Sequence, residues 1–283
     1  MIQLEPKDYK KVIPYVCRAG INVMFAMSVL EESAEGGVWV DNKESPASIY
    51  IKHPYGMALW YGETGKESFY ASLTSYLLNR WQIRKEYEWL QVYPSSLYSK
   101  MAAILGNRLI KKDPDKPYSE SVLEEEAGKV LQYERVNFKF NPDRFSLFKK
   151  SLNYEDYKVD ITSEAVFNRF EGNVIPKRFW KSYEDFMKEG MGFTLLDNSL
   201  PVSTAFTSYT SKDKLEIGIE TSEKYRGQGC ASRVCSSLID YCMEKGFEPV
   251  WSCNSANIGS RNLAYKLGFE ETVRIPYYRL PKG

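Results

Sequence analysis

The chain has 283 residues, of which 38 are basic and 37 acidic, with one histidine and five cysteines. The balanced charge argues against broad electrostatic binding of nucleic acid, and the lone histidine argues against catalytic triads that need an imidazole base. The length suits two domains, and an apolar fraction of 43% is enough to fill their cores.

The N-terminal residues lack the basic start and apolar run of a signal peptide, and residues 21–30 are too short and too polar to span a bilayer. The cysteines show no Cys-x-x-Cys spacing, so buried free thiols are expected rather than disulfides or a zinc site. His53, next to Pro54, is expected to be structural. We expect a cytoplasmic protein without metal, nucleic-acid or membrane partners, and a homodimer is compatible with the sequence.

The first half of the chain has the pattern of a mixed α/β domain. Its predicted elements are strands near 38–42 and after Pro46, a turn with Gly62 and Gly65, a helix over 68–78, a strand over 88–93, a helix over 95–105 and a strand over 133–140. Residues 113–128 are predicted to be a surface excursion. Asn141-Pro142-Asp143 interrupts the last strand and places a boundary between domains 1–142 and 143–283.

The second half has stronger signals. The predicted elements are a helix over 176–189, strands over 191–196, 202–209 and 215–221, a helix that starts after Gly229 and stops at Gly246, a strand over 249–253, a helix over 257–267 and one or two strands over 269–280. Residues 38–42 resemble residues 194–198, and each stretch precedes a proline and a serine-containing strand. This similarity indicates a duplication with a degenerate first copy, or chance similarity between two α/β units.

The segment Arg226-Gly227-Gln228-Gly229-Cys230-Ala231 lies between a strand and a helix. A helix N terminus presents unpaired N–H groups and a positive dipole end, and two glycines allow close approach of a ligand. The segment therefore predicts a site for a pyrophosphate, although a glycine-rich turn before any helix has the same pattern. A Walker A loop and a dinucleotide-binding loop are excluded, because the Lys-Ser/Thr pair and the Gly-x-Gly-x-x-Gly spacing are missing.

The pair of motifs Arg226-x-x-Gly229-x-Ala231 and Asn257-x-x-Ser260 resembles the coenzyme A motifs of GNAT acetyltransferases. The chain is also similar to the GNAT branch that includes zwittermicin A resistance acetyltransferases. That similarity rests on Pro176, Phe179-Trp180, Gly190-x-Gly192-Phe193, Leu215-Glu216-Ile217-Gly218, Pro249-x-Trp251-x-Cys253 and Asn257. The resemblance implies an α/β fold of the α+β, mixed-sheet kind. A C-terminal GNAT domain with splayed central strands would follow a smaller α/β domain, a degenerate GNAT-like copy.

The resemblance also implies a ligand and the residues that hold it. Acetyl-coenzyme A (acetyl-CoA) would enter between the splayed strands. The implied binding residues are Ile219, Glu220, Thr221, Arg226, Gly227, Gln228, Gly229, Cys230, Ala231, Ser232, Asn257 and Ser260. Phe179, Trp180 and Tyr183 would border the acceptor side or belong to the core.

The catalytic residues are less defined by this resemblance. Many GNAT enzymes use a tyrosine as general acid at the position that Ala264 occupies here, and the neighbouring Tyr265 is either that acid or a packing residue. Glu216 and Glu220 share one strand face and are either the general base or solvated carboxylates. Cys253 either donates a proton to the leaving thiolate or packs.

The expected function is N-acetylation of a small-molecule amine, such as an antibiotic or another metabolite. Two alternatives stay open: a non-catalytic acyl-CoA sensor, and acetylation of a protein or peptide. The fold alone does not identify the acceptor, because one fold supports many chemistries.

Overall fold

A computed structural model describes residues 1–63, 65–114, 116–117, 126–151 and 158–283. Most of the predicted surface excursion over residues 113–128 lies outside these residues. None of the helices in the described part of the chain is long and apolar enough to cross a membrane.

The first part of the chain forms four helices and seven strands within the described residues. They are β1 (Ile2–Gln3), α1 (Ile13–Val16), α2 (Met24–Leu30), β2 (Gly37–Val40), β3 (Ser48–Lys52), β4 (Met57–Gly62), α3 (Glu67–Leu77), β5 (Glu88–Tyr93), α4 (Tyr98–Leu105), β6 (Leu109–Lys111) and β7 (Val130–Phe140). The predicted strand over 88–93 and helix over 68–78 are confirmed, the helix with a shift of one residue.

The rest of the chain continues with helices and strands in alternation. They are α5 (Pro142–Lys149), β8 (Lys158–Ile161), α6 (Glu164–Arg169), α7 (Tyr183–Glu189), β9 (Gly192–Asp197), β10 (Leu200–Ser211), β11 (Lys214–Thr221), α8 (Cys230–Lys245), β12 (Glu248–Val250), β13 (Ser252–Asn254), α9 (Ile258–Lys266) and β14 (Phe269–Leu280). Short 3-10 turns occur at Pro176–Arg178 and Glu223–Tyr225.

Two details of the predicted elements are wrong. The helix predicted from Pro176 is a 3-10 turn followed by the separate helix α7, because the Ser182 side chain accepts a hydrogen bond from the Asp185 N–H at 3.0 Å and caps a new helix. The strand predicted over 249–253 is two strands, β12 and β13, which belong to different sheets.

Contacts within the chain separate two units. Unit 1 comprises Met1–Asn137, Ser252–Ile258 and Val273–Gly283, and unit 2 comprises Phe138–Trp251 and Gly259–Thr272. Two C-terminal segments thus belong to unit 1. The predicted domain boundary after residue 142 divides the chain by sequence order and stays a prediction. At that point Asn141 caps α5, and its Oδ1 accepts from the N–H groups of Asp143 and Arg144.

Unit 1 is built on a mixed sheet in the order β1-β2-β3-β4-β5-β14-β7-β13, with β6 alongside β7. β2, β3 and β4 form an antiparallel meander, and β5 returns parallel to β4 after α3. One face of this sheet packs its apolar side chains against α3, where Trp60 and Phe69 are fully buried. Burial of these large side chains stabilises the unit.

Unit 2 is built on a sheet in the order β12-β11-β10-β9-β8. β8 to β11 are antiparallel, and β12 is parallel to β11 after α8. An aromatic cluster of Phe167, Phe186 and Phe206 joins α6 and α7 to β10.

The order of elements repeats along the chain. β1-α1-α2-β2-β3-β4-α3-β5-α4 in the first part corresponds to β8-α6-α7-β9-β10-β11-α8-β12-β13-α9 in the second. The similarity of residues 38–42 to residues 194–198 aligns β2 with β9, and these two strands also hold corresponding places in the order of elements. The two parts of the chain therefore share an order of elements, and the duplication itself stays a prediction.

Candidate active site

The start of α8 exposes backbone N–H groups that no side chain in the described part of the protein caps. Gly229 is the N-cap residue, with φ of 79°, and the first turn contains no acidic residue. Gly227 has φ of 78°, and a Cβ atom there would meet nothing within 4 Å. The N terminus of this 16-residue helix therefore presents backbone N–H donors at the positive end of the helix dipole, and both features favour an anionic ligand.

Hydrogen bonds within the loop before α8 fix its conformation. The Gln228 side chain donates to the Lys224 carbonyl at 2.8 Å, and the Arg226 Nε donates to the Thr221 carbonyl at 3.2 Å. Arg233 donates to the Gln228 carbonyl at 3.3 Å. The loop is thus preorganised around the helix start, which lowers the entropy cost of binding a ligand there.

A cavity of about 480 Å³ opens beside this loop. The residues that line it are Phe148, Gly227, Gln228, Gly229, Ser232, Arg233 and Lys266. Arg233 and Lys266 add two positive charges to the helix N terminus, and Phe148 adds an aromatic surface. Sequence reasoning did not assign these three residues. The position of Arg233 one helical turn after Gly229 was the available signal for one of them.

The strand that leads into the loop has an open edge at its C-terminal end. Parallel pairing of β11 with β12 covers Lys214 to Glu216. On the other edge, the Ser222 N–H donates to the Val202 carbonyl at 2.9 Å, so alternate residues of β11 face β10. By this alternation, the backbone groups of Ile219 and Thr221 point away from β10, beyond the point where pairing with β12 ends. This edge is suited to pairing with an extended polar ligand.

Glu220 connects the loop before α8 to the segment that follows α6. Its Oε2 accepts from the N–H groups of Asn173 and Val174 at 2.8 and 3.0 Å. Its Oε1 lies 3.4 Å from the guanidinium of Arg226. The carboxylate of Glu220 is therefore an acceptor within a network of three donors, an arrangement that fixes the loop.

Glu216 and Glu220 lie on the sheet face that carries α6 and α7. Gly218 lies between them on β11, and a Cβ atom at Gly218 would be 2.5 Å from the ring of Phe206, a member of the aromatic cluster. The predicted shared face of the two carboxylates follows from this alternation. Glu216 is half-buried there.

The predicted aromatic residues of the acceptor side pack around the same cluster. Phe179, Trp180 and Tyr183 are partly buried against it. The Trp180 Nε1 donates to the Thr207 carbonyl at 2.6 Å, and the Tyr183 hydroxyl donates to the Thr162 carbonyl at 3.2 Å. Both side chains thus have structural contacts within unit 2.

A family model for GNAT acetyltransferases matches residues 17–278. The chain belongs to this family. The match includes the first part of the chain, beyond the C-terminal motifs that carried the resemblance in the sequence. The protein is therefore an acyltransferase.

Two related proteins with full or partial coverage are acetyltransferases by name. The uncharacterized N-acetyltransferase YdfB of Bacillus subtilis (strain 168) is 26% identical over 258 residues, which cover 90% of this chain and 89% of that protein. The aminoglycoside N(6')-acetyltransferase type 1 of Serratia marcescens is 36% identical over 67 residues, which cover 23% of this chain and 46% of that enzyme.

Solved structures show the same fold along the whole chain. A GCN5-related N-acetyltransferase-like protein from Streptococcus suis 89/1591 matches with a TM-score of 0.67 and 18% identity, covering 96% of this chain and 98% of that one. A tandem GNAT protein from the clavulanic acid biosynthesis pathway matches with a TM-score of 0.58 and 11% identity, covering 100% of this chain and 98% of that one.

Ala264, at the position where the resemblance predicts a general acid, is fully buried. The adjacent residue of α9, Tyr265, is 43% exposed, and its hydroxyl donates to Glu271. Burial raises the pKa of Tyr265, and the hydrogen bond to Glu271 raises it further. In this geometry Tyr265 has the contacts of a surface residue, and its role as the acid stays a prediction.

The other predicted residues are distributed over both units. Cys253 is a buried residue of β13, opposite Val136 of β7, in unit 1. Asn257 precedes α9 in unit 1, whereas Ser260 belongs to unit 2 and its Oγ accepts from the Trp251 Nε1 at 3.2 Å.

The first turn of α8 contains the remaining predicted residues. Cys230 is buried, and burial raises the pKa of its thiol, which opposes a role as nucleophile. Ala231 is half-buried and Ser232 lines the cavity. Within the described ranges of the chain, no group of three or more His, Cys, Asp or Glu side chains is placed to hold a metal ion.

Proposed function

We propose that unit 2 binds acetyl-CoA and that the protein transfers its acetyl group to the amine of a small molecule. The observation that supports this most directly is the uncapped N terminus of α8, which lies next to the open edge of β11. In this proposal the N–H groups of Gly229 to Ser232 hold the pyrophosphate. The backbone of Ile219 and Thr221 pairs with the amide groups of the pantetheine.

The residues around the loop fit the remaining parts of the coenzyme. Arg233 and Lys266 are cations beside the same cavity and are suited to the ribose 3′-phosphate, and Phe148 offers an apolar surface for the adenine ring. Bound acetyl-CoA would supply an activated acetyl group as a thioester. Ser260 is proposed to orient the coenzyme and α9, and the role of Asn257 stays a prediction.

For the general base we propose Glu216 rather than Glu220. The Glu220 carboxylate accepts from two backbone N–H groups and contacts Arg226, so it is committed to positioning the loop. Glu216 lies half-buried on the same face of β11. A carboxylate at that place is suited to accept the proton of an ammonium group, directly or through a water.

The acceptor that we propose is supported by the relatives rather than by the geometry. The partial match to an aminoglycoside acetyltransferase supports a small polyamine-like acceptor. The resemblance to zwittermicin A resistance enzymes, which points to an antibiotic, and the alternative of a protein or peptide acceptor both stay predictions. We propose that the protein acts in the cytoplasm.

The experiment measures release of free CoA from acetyl-CoA in the presence of a panel of small amines, including aminoglycosides. Turnover with any amine, abolished by Glu216→Gln, supports the proposal. Tight binding of acetyl-CoA without turnover on any amine or peptide would favour the alternative of a non-catalytic sensor. Absence of acetyl-CoA binding by the folded protein would contradict both.

A further inference from the structure

A group of buried and partly buried polar and aromatic residues lies on one face of the unit 1 sheet. It comprises Gln91 on β5, Tyr277 on β14, Arg135 on β7 and Ser252 on β13, together with Trp89 and Tyr133. All of these belong to unit 1. None takes part in the site proposed for acetyl-CoA, so their presence in the interior of the unit needs a separate explanation.

Arg135 is a buried cation without a carboxylate partner among the described residues. Only 8% of its surface is exposed. Its contacts are a hydrogen bond to the Ser252 Oγ at 2.6 Å and the ring of Tyr277, whose centroid lies 5.3 Å from the guanidinium carbon. Its Nε has no hydrogen-bond partner in the described part of the chain.

Two other arginines of unit 1 lie near a carboxylate. The buried Arg84 lies 3.9 Å from the carboxylate of Glu88, and the more exposed Arg274 lies 3.4 Å from that of Glu134. Burial of a charge without a counter-ion is costly, so buried arginines usually have an anionic partner. Arg135 departs from this pattern.

Gln91 is a second buried group whose hydrogen bonds are unsatisfied. It is fully buried, and neither its Oε1 nor its Nε2 has a partner within the residues that the structure describes. In the sheet register it lies directly opposite Tyr277, the residue whose ring contacts Arg135. Gln91 and Arg135 therefore flank one aromatic ring.

We propose that unit 1 binds a small carboxylate at Arg135. The guanidinium supplies a planar pair of donors that matches a carboxylate, and Gln91 supplies both a donor and an acceptor for a second polar group of the ligand. Ser252 positions the arginine, because its Oγ also accepts from the Asn22 side chain at 2.8 Å and is held from both sides.

The aromatic surroundings favour a ligand with a flat apolar part. Trp89 stacks on Tyr277 with centroids 4.9 Å apart and contacts Tyr133 at 5.7 Å. These rings supply apolar and π surface beside the cation. An aromatic carboxylate or an aromatic amino acid is therefore the class of ligand to test first.

The experiment titrates the full chain calorimetrically with benzoate and phenylalanine, and with benzamide and phenylalaninamide as matched ligands without a carboxylate. Inorganic phosphate is included to distinguish a carboxylate site from a general anion site. We expect a preference of about tenfold or more for a carboxylate over its amide. Arg135→Met should remove this preference, and Arg135→Lys should retain part of it because the charge stays but the planar pair of donors is lost.

A second readout separates ligand binding from a purely structural role of Arg135. Since the unpaired charge is costly in the free protein, Arg135→Met should raise the melting temperature in the absence of ligand, whereas loss of a structural arginine would lower it. Acetyl-CoA affinity, measured on the same samples, should not change, and this separates the carboxylate site from the function proposed for unit 2.

Three results would overturn the carboxylate site. They are the absence of binding by every carboxylate at millimolar concentration, tighter binding of phosphate than of any carboxylate, and a lower melting temperature of Arg135→Met. In the first case, buried water would account for the unsatisfied groups of Gln91 and Arg135.

Discussion

The two copies of the GNAT element order differ most in the pairing of the central parallel strands. In unit 1, β4 pairs with β5 from Met57 to Tyr61, so the strands stay together to their C-terminal ends. The rings of Tyr61 and Tyr93 stack there, 6.2 Å apart. In unit 2, pairing of β11 with β12 stops at Glu216. The same fold is therefore closed in the first copy and open in the second.

The turn from β4 to α3 in unit 1 is also more closely packed than the turn from β11 to α8 in unit 2. In unit 1 a Cβ atom at Gly62 would be 2.1 Å from the Ala47 carbonyl oxygen, and the first turn of α3 contains the acidic Glu67. In unit 2 the space at Gly227 is open, and α8 has no acidic residue in its first turn. The comparison indicates that Gly62 allows close packing of backbone in unit 1, whereas Gly227 leaves room for a ligand in unit 2.

The largest expected effect tests this distinction between glycines. Gly62→Ala should destabilise the protein by about 3 kcal/mol, because a side chain there combines positive φ with a clash against backbone. Gly227→Ala should cost only about 1 kcal/mol for its left-handed conformation. Urea unfolding of both variants measures this difference, and equal losses of stability would contradict the packing role of Gly62.

The next effect concerns the carboxylates of β11. In unit 1 the sheet face away from α3 carries Met57 and Leu59 on β4, where unit 2 carries Glu216 and Glu220 on β11. Glu216→Gln should lower kcat by about a hundredfold with unchanged acetyl-CoA affinity, as expected for a general base. Glu220→Gln, as the matched variant, should mainly lower stability. An unchanged kcat in Glu216→Gln would exclude it as the base.

A third effect is confined to unit 1, which contains the only histidine of the chain. His53 is buried, its Nδ1 accepts from the Tyr55 N–H at 3.0 Å, and burial lowers its pKa from 6.5 to about 4. The unfolded chain therefore binds a proton as the pH falls below 6.5, while the folded chain does not until about pH 4. Between pH 7 and 5 this should remove roughly 2 kcal/mol of stability.

The control for the pH effect is His53→Asn, whose side-chain oxygen can replace Nδ1 as the acceptor. Urea unfolding at pH 7 and pH 5 should show a smaller loss of stability in this variant than in the wild type. Equal losses in both proteins would assign the acid sensitivity to other groups.

The smallest expected effect sharpens the assignment of the cavity in unit 2. Arg233→Ala should weaken CoA binding about tenfold and dephospho-CoA binding much less, because the lost contact is to the 3′-phosphate. Lys245→Ala is the control, since Lys245 is an exposed cation at the other end of α8. Equal weakening for both ligands would place the 3′-phosphate elsewhere.

The sequence predicted the parts of the molecule in which local signals agree with the tertiary structure. The α8 start and its stop at Gly246, with φ of 78°, follow from glycine chemistry. The similarity of residues 38–42 to residues 194–198 correctly indicated the repeated order of elements. The split of residues 249–253 into β12 and β13 was not predictable, because local propensity does not show which sheet a strand joins.

The candidate site was predicted to a similar extent. The loop residues were found because Gly229 and Arg226 have a recognisable spacing, whereas Phe148 and Lys266 reach the cavity only through tertiary packing. The network of Glu220 with Asn173 and Val174 was also hidden, since those residues are distant in sequence. Nothing in the sequence indicated that Arg135 is unusual, because burial of an arginine without a carboxylate partner depends on the tertiary structure.

The most direct test of coenzyme binding at the start of α8 is calorimetric titration of acetyl-CoA into the wild type, Gly229→Ala and Gly246→Ala. The two glycines begin and end α8 with nearly equal φ values of 79° and 78°, so the substitutions should cost similar stability. We predict that Gly229→Ala alone weakens acetyl-CoA binding, by about tenfold or more. Equal affinity in all three proteins would show that the coenzyme does not bind at the start of α8.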